Sequence, residues 1–356
     1  MRVLFFATRL IYGGGEKVRN WLASQLYENG HEVIYVTSRY DNSYINELKQ
    51  VSLYGKVKVI TYPYKLKKKN PIAFCKFVKN IYINNNVDLL IYFGGSLVEQ
   101  LIAKYMGIKI IVSERCDPKS RDFMSRVLKR IQYTISDGYV FQTPEAAKYY
   151  GRRAQRLGVV IPNPIIDNLP DPILEDLRKE IVTVGRLSHE KNQTMLINAF
   201  SNFVKDNPNY KLIIYGKGQL ESNIRSYIIS KNLQDKVNLI SDQYNIVNCI
   251  RGAELFVLPS NTEGMPNALI EAMSIGLLCI STDCPIYGPR MLIENGVNGF
   301  LTPVGDEEQL SELMKRLIKS SEDYNFVRQN ALKIKSTLNP SVILKKWINY
   351  IDVIVN

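Results

Sequence analysis

Two carboxylates, Glu263 and Glu271, stand eight positions apart in the stretch Glu263-Gly264-Met265-Pro266-Asn267-Ala268-Leu269-Ile270-Glu271. Continuous helix would hold them about 12 Å apart, too far for a general acid and base to share one bond. Their types and spacing suit two separate hydrogen-bond acceptor sites, each gripping hydroxyls of a polyol, with the backbone N–H groups of Gly264 to Asn267 between them. Taken alone, Glu271 reads equally well as a solvated helix residue.

A second group, Gly185-Arg186-Leu187-Ser188-His189-Glu190-Lys191, leaves an apolar run and enters a helical pattern. Arg186 and Lys191 then stand at the carboxyl end of a parallel strand, where open α/β sheets bind ligands. A planar guanidinium fork and a mobile ammonium beside a helix start suit a diphosphate, although a solvated charged loop could carry the same residues. A third group, Gly13-Gly14-Gly15-Glu16, could bring backbone N–H groups to an anion. It lacks the G-x-G-x-x-G spacing and the Lys-Ser/Thr of a P-loop, and a tight turn reads the same way.

Other chemistries are poorly served. Two histidines, His31 and His189, leave little for imidazole metal sites or Ser-His-Asp catalysis. Five cysteines without a C-x-x-C pair indicate neither a disulfide framework nor a zinc ribbon, and a reducing cytosol fits them. The apolar start is too short for a signal peptide and no run reaches membrane-spanning length, so a soluble or peripheral protein is expected.

Those residues need positioning elements. The 356 residues, 46% hydrophobic and 22% charged, fit two globular domains. Residues 1–165 alternate strand-like runs (Val3 to Ala7, Glu32 to Thr37, Leu89 to Phe93, Lys109 to Ser113, Tyr139 to Gln142) with helix-like segments such as Glu16 to Glu28. Ile165 to Glu180 is proline-rich and acidic and reads as a linker. A second alternating series runs from Ile181 to Ser281, and Ser341 to Ile354 reads as a terminal amphipathic helix. Alternation predicts parallel sheets, hence an α/β chain of two doubly wound domains. The expected division is 1–164, 165–338, and a helix in 339–356 packing back on the first domain.

Charge is uneven: residues 1–165 hold 26 Lys and Arg against 12 Asp and Glu, net +14, and residues 166–356 hold 20 against 22, net −2. So basic a half attracts a polyanion or an anionic bilayer. Tyr62-Pro63-Tyr64-Lys65-Leu66-Lys67-Lys68-Lys69 leads into a stretch with Phe74, Phe77, Val78 and Ile81 on one side and Lys76 and Lys79 nearby. Lysines with interleaved aromatics suit a membrane interface, and Lys119, Arg121, Arg126, Lys129 and Arg130 would strengthen it. A merely solvated basic face is the plainer alternative.

The Gly-Gly loop, Gly185-Arg186-Leu187 with Lys191, and the E-x7-E block, followed by Thr282-Asp283-Cys284-Pro285, Gly288-Pro289-Arg290 and Asn295-Gly296-Val297-Asn298-Gly299, resemble the retaining glycosyltransferases of family 4 over essentially the whole chain. The resemblance implies a GT-B fold, two Rossmann-like domains facing a cleft, and sugar transfer from a nucleotide donor with retained anomeric configuration. It places the acceptor on the first domain and the donor on the second. By carry-over, Arg186 and Lys191 stabilise the diphosphate leaving group, Glu271 holds the ribose, and Glu263 with Gly264, Met265, Pro266 and Asn267 holds the transferred sugar. Gly13 and Gly14 close over the phosphates, and Leu220 flanks the base.

Cations at the phosphates meet the charge that grows there, so no metal or other cofactor is expected beyond the nucleotide sugar itself. Many relatives carry a histidine where this chain reads Ser113-Glu114-Arg115, so Glu114 and Arg115 are read as acceptor-side groups, with a structural salt bridge as the alternative. The Glu-Gly-Met-Pro-Asn and Thr-Asp-Cys-Pro segments resemble those of UDP-hexose and UDP-N-acetylhexosamine users. Similar members act on polyprenyl-diphosphate-linked saccharides in capsule and exopolysaccharide synthesis, which implies a cytoplasmic protein peripheral to the inner face of the membrane. The alternatives are another GT-B activity, such as a nucleotide-sugar epimerase, and a non-catalytic basic module that binds membrane or nucleic acid. No RNP, zinc-finger or basic-zipper signature supports the nucleic-acid version.

Overall fold

The computed structural model describes residues 1–7, 13–38, 48–49, 53–63, 66–94, 96–115, 117–120, 122–166, 169–241, 243 and 245–356. It divides into two units, Met1–Ile166 with Pro340–Asn356, and Asp167–Asn339.

The first unit is built on a parallel sheet of β1 (Arg2–Phe6), β2 (Glu32–Thr37), β3 (Lys58–Thr61), β4 (Leu89–Tyr92), β5 (Lys109–Ser113), β6 (Gly138–Phe141) and β7 (Gly158–Val160), in the order β3-β2-β1-β4-β5-β6-β7. The second is built on β8 (Arg178–Val184), β9 (Lys211–Tyr215), β10 (Val237–Ile240), β11 (Ala253–Leu258), β12 (Leu278–Thr282) and β13 (Phe300–Thr302), in the order β10-β9-β8-β11-β12-β13. Central strands such as β4 and β11 are buried along their whole length; β4 reads as an unbroken apolar run, and β11 as one interrupted only by Glu254, which accepts from the Tyr210 hydroxyl at 2.6 Å. In each sheet the order reverses once, between β1 and β4 and between β8 and β11. Such a reversal opens a crevice at the carboxyl ends of the strands.

The passage read as a linker gives up its last three residues to β8. Arg178 donates its backbone N–H to Gly252 O at 2.8 Å, and its guanidinium reaches Arg251 O at 2.6 Å and Cys249 O at 2.8 Å. These bonds start the strand earlier than composition indicates.

The helix Pro340–Val355 belongs to the first unit and buries Ile343, Trp347 and Ile351. Trp347 stacks on Phe93 with centroids 6.2 Å apart, and the Tyr350 hydroxyl accepts from Tyr139 N at 2.7 Å while donating to Leu157 O. Among the described residues no helix is long and apolar enough to cross a membrane.

Candidate active site

The crevice of the second unit lies between β8 and β11, and the loops leaving these two strands carry the candidate residues. Gly185 to Lys191 follows β8. Its backbone is clamped to the loop after β9: Leu187 N donates to Lys217 O at 2.9 Å and Leu220 N to Leu187 O at 3.2 Å. The approach is so close that a Cβ on Gly216 would sit 1.8 Å from Gly185 O, and one on Gly218 2.2 Å from Leu187 O. Only glycine lets these turns pack backbone to backbone. Leu220 packs against the unit's core immediately before the helix Glu221–Ser230.

The β8 and β11 loops are also tied to each other. Asn261 N donates to Glu190 O at 2.8 Å, its side-chain amide donates to His189 O at 2.9 Å, and its Oδ1 accepts from Asn192 Nδ2 at 2.9 Å. Lys191 Nζ meets Glu263 Oε1 at 2.5 Å, and the Ser260 hydroxyl donates to the same oxygen at 2.6 Å. The pair is partly enclosed, with Lys191 at 26% and Glu263 at 9% side-chain exposure. Arg186 is exposed on the same loop as Lys191. One cation, Lys191, and one carboxylate, Glu263, thus meet at the switch point, and Arg186 stands on the same loop as that cation. Burial pushes the nearby Cys284 thiol up to about 12, and the Glu263 charge adds to the shift, so this sulfur stays protonated at neutral pH.

Gly264, Met265 and Pro266 are buried, and the helix Asn267–Ser274 begins directly after them with no side chain capping it. The start of a helix orients backbone N–H groups in a way that suits an oxygen-rich ligand. Gly288 shapes this turn from outside: a Cβ there would lie 1.7 Å from Gly264 O. Just before it, Ile286 and Tyr287 hold φ of +58° and +56°, an unusual conformation for a β-branched residue. Glu271 is half-buried in the second turn of the helix. The structure therefore brings Lys191 and Glu263 into contact and places Arg186, Leu220 and Gly264 to Glu271 on neighbouring segments of the same unit.

Sequence reasoning overlooked Ser260 and Asn261 as working residues. The i, i+3 spacing of Ser260 and Glu263 was the available signal. Glu263 was expected to hold the sugar, and its Oε1 is engaged by Lys191 and Ser260.

Gly13 and Gly14 open the 16-residue helix Gly13–Glu28 of the first unit, Gly13 with φ +79°. Glu114 is buried after β5, accepting from the Tyr150 hydroxyl at 2.5 Å and the Tyr133 hydroxyl at 3.4 Å. The Arg115 guanidinium lies over Phe93 and Trp347, 5.1 and 5.6 Å from the ring centroids, and donates through Nη1 to Asn163 Oδ1 at 2.9 Å. Burial pulls its pKa down to about 9. Its Nε and Nη2 are buried without a hydrogen-bond partner among the described residues, so it retains donor capacity. Glu114 Oε1 also accepts from the Arg115 backbone N–H at 3.2 Å. Among the described residues no group of three or more His, Cys, Asp or Glu could hold a metal ion.

Residues 167–334 match the family model described as Glycosyl transferases group 1. An uncharacterized glycosyltransferase of Haemophilus influenzae is 25% identical over 94% of this chain and 95% of its own. A Campylobacter jejuni protein named GalNAc-alpha-(1->4)-GalNAc-alpha-(1->3)-diNAcBac-PP-undecaprenol alpha-1,4-N-acetyl-D-galactosaminyltransferase is 26% identical over 100% of this chain and 99% of its own. Among solved structures, Anabaena Alr3699/HepE in complex with UDP and glucose superposes with a TM-score of 0.82 at 17% identity, covering 99% of this chain and 100% of that one.

Proposed function

We propose that this chain, a GT-B protein whose second unit carries the glycosyltransferase family model and whose relatives are named glycosyltransferases, is a retaining enzyme of family 4. It moves a hexose or N-acetylhexosamine from a UDP-sugar to a polyprenyl-diphosphate-linked saccharide during surface polysaccharide or capsule synthesis. The undecaprenol-diphosphate acceptor named for the Campylobacter relative and the UDP bound by the structural neighbour support this reading.

One observation carries it: the Arg186–Lys191 loop and the Ser260–Glu263 loop are laced together at the carboxyl ends of β8 and β11. In the proposed reaction the bond between sugar C1 and the β-phosphate oxygen breaks as C1 bonds to the acceptor oxygen on the same face. The acceptor proton passes to the departing phosphate. Arg186 and Lys191 meet the charge growing on that diphosphate, without a metal ion. Glu263 orients Lys191, the turn Gly264–Asn267 receives the sugar, Glu271 holds the ribose and Leu220 flanks the uracil. Gly13, Gly14, Glu114 and Arg115 serve from the first unit, the last two on the acceptor side. The basic first unit holds the enzyme peripherally at an anionic cytoplasmic membrane face, where the lipid-linked acceptor resides.

A thermal-shift panel of nucleotide sugars tests the donor. Ligand at a hundredfold excess over its Kd adds about 2.7 kcal/mol to apparent stability. UDP-sugars are expected to raise the melting temperature, and a rise with GDP-mannose alone would contradict the assignment.

A further inference from the structure

The helix Phe123–Ile135 of the first unit is turned inside out relative to an ordinary surface helix. Phe123 is 72% exposed and Met124 62%, while Val127, Leu128 and Ile131 are also exposed. At 100° per residue these five side chains span an arc of roughly 140°. The opposite side meets the core through one ring, Tyr133, stacked on Tyr139, Phe141 and Tyr150, and otherwise turns polar groups inward: Gln132 is buried, and Arg126 Nε is enclosed without a hydrogen-bond partner among the described residues. A soluble helix normally shows the reverse pattern. The neighbouring helix Leu97–Tyr105, packed against it, adds exposed Leu101 and Tyr105, the latter at 84%. Exposed Arg130 lies at the edge of the apolar arc and exposed Lys119 in the turn just before the helix, within a first half of net charge +14.

The stretch that sequence reading favoured for this role is used otherwise. Phe74, Val78 and Ile81 are buried in the core beneath the sheet, and Phe77 packs against that core. Tyr64, Lys65 and Arg121, with the side chain of Lys68, lie outside the described residues.

We infer that the helix Phe123–Ile135 is the membrane-docking element, lying in the plane of an anionic bilayer with Phe123, Met124, Val127, Leu128 and Ile131 among the acyl chains and the flanking cations at the headgroups. The inference deepens the peripheral-membrane part of the proposed function and rests on it. An apolar arc bordered by cations matches a surface that is apolar within and anionic at its rim. A helix of 13 residues, about 20 Å long, is too short to span a bilayer.

The test is co-sedimentation of the full chain with vesicles of phosphatidylglycerol and phosphatidylethanolamine. Phe123→Ser/Met124→Ser/Leu128→Ser is expected to weaken partitioning at least tenfold with an unchanged melting temperature. In a separate Phe123→Trp variant, brominated acyl chains are expected to quench the new emission. If wild type and triple variant bind equally, or Phe123→Trp is not quenched, the inference fails while attraction by charge survives. If wild type does not bind these vesicles, the membrane reading itself fails. A wild-type dimer that the triple variant converts to monomer assigns the face to a second copy and also overturns the inference.

Discussion

At the scale of single residues, the proposed site rests on the Lys191–Glu263 contact. A carboxylate only 9% exposed and touching an ammonium at 2.5 Å is more than a solvated pair, and the Ser260 hydroxyl completes its shell on that oxygen. Removing the lysine strands a mostly buried charge, which can cost up to about 3 kcal/mol after allowance for its partial exposure. Lys191→Met is therefore expected to lower stability in urea titrations, and adding Glu263→Gln to restore most of it. In transfer assays the two substitutions should be non-additive, because the residues act as a unit. Additive losses of both stability and rate would separate the two groups. The types and spacing of these residues were legible in the sequence, and their contact was not. The partners lie 72 positions apart and meet only because β8 and β11 are neighbours.

At the scale of elements, close backbone approach does what no side chain advertises. Gly288 supports the turn at Gly264, and Gly216 and Gly218 support the loop at Arg186. Gly288→Ala would drive a methyl against Gly264 O, so a loss of roughly 1–3 kcal/mol is expected together with weaker UDP-sugar binding. Melting curves and titration calorimetry check this, and a variant of normal stability and affinity would show the turn to be tolerant. Strands with continuous apolar runs, such as Lys109–Ser113 and Lys211–Tyr215, were readable to the residue. The short strands β3, β7 and β13 were not, since three or four residues leave no periodic signal. Helical periodicity likewise located the apolar side of Pro71–Asn84 without telling whether it faces sheet or solvent. The core took it, and Phe123–Ile135 shows the outward alternative.

At the scale of the whole molecule, two parallel sheets of the same winding carry opposite charge balances, net +14 in residues 1–165 and −2 in 166–356. Composition displayed this division, and the alternation of strand-like and helix-like segments displayed the doubly wound class. The membership of the terminal helix in the first unit depends on Trp347 and Tyr350 finding Phe93, Tyr139 and Leu157, contacts no local pattern encodes. Catalysis is ascribed to cations waiting at one switch point for a departing diphosphate. Arg186 is the cleanest probe of that idea, because its exposed side chain can be removed without stranding a buried partner. Sugar transfer from a UDP-sugar by the intact Arg186→Ala chain is the measurement to make. A fall in kcat of about two decades, the usual cost of losing one preorganised charge-stabilising group, is expected at unchanged melting temperature. Undiminished turnover in that variant would contradict the role given to this loop.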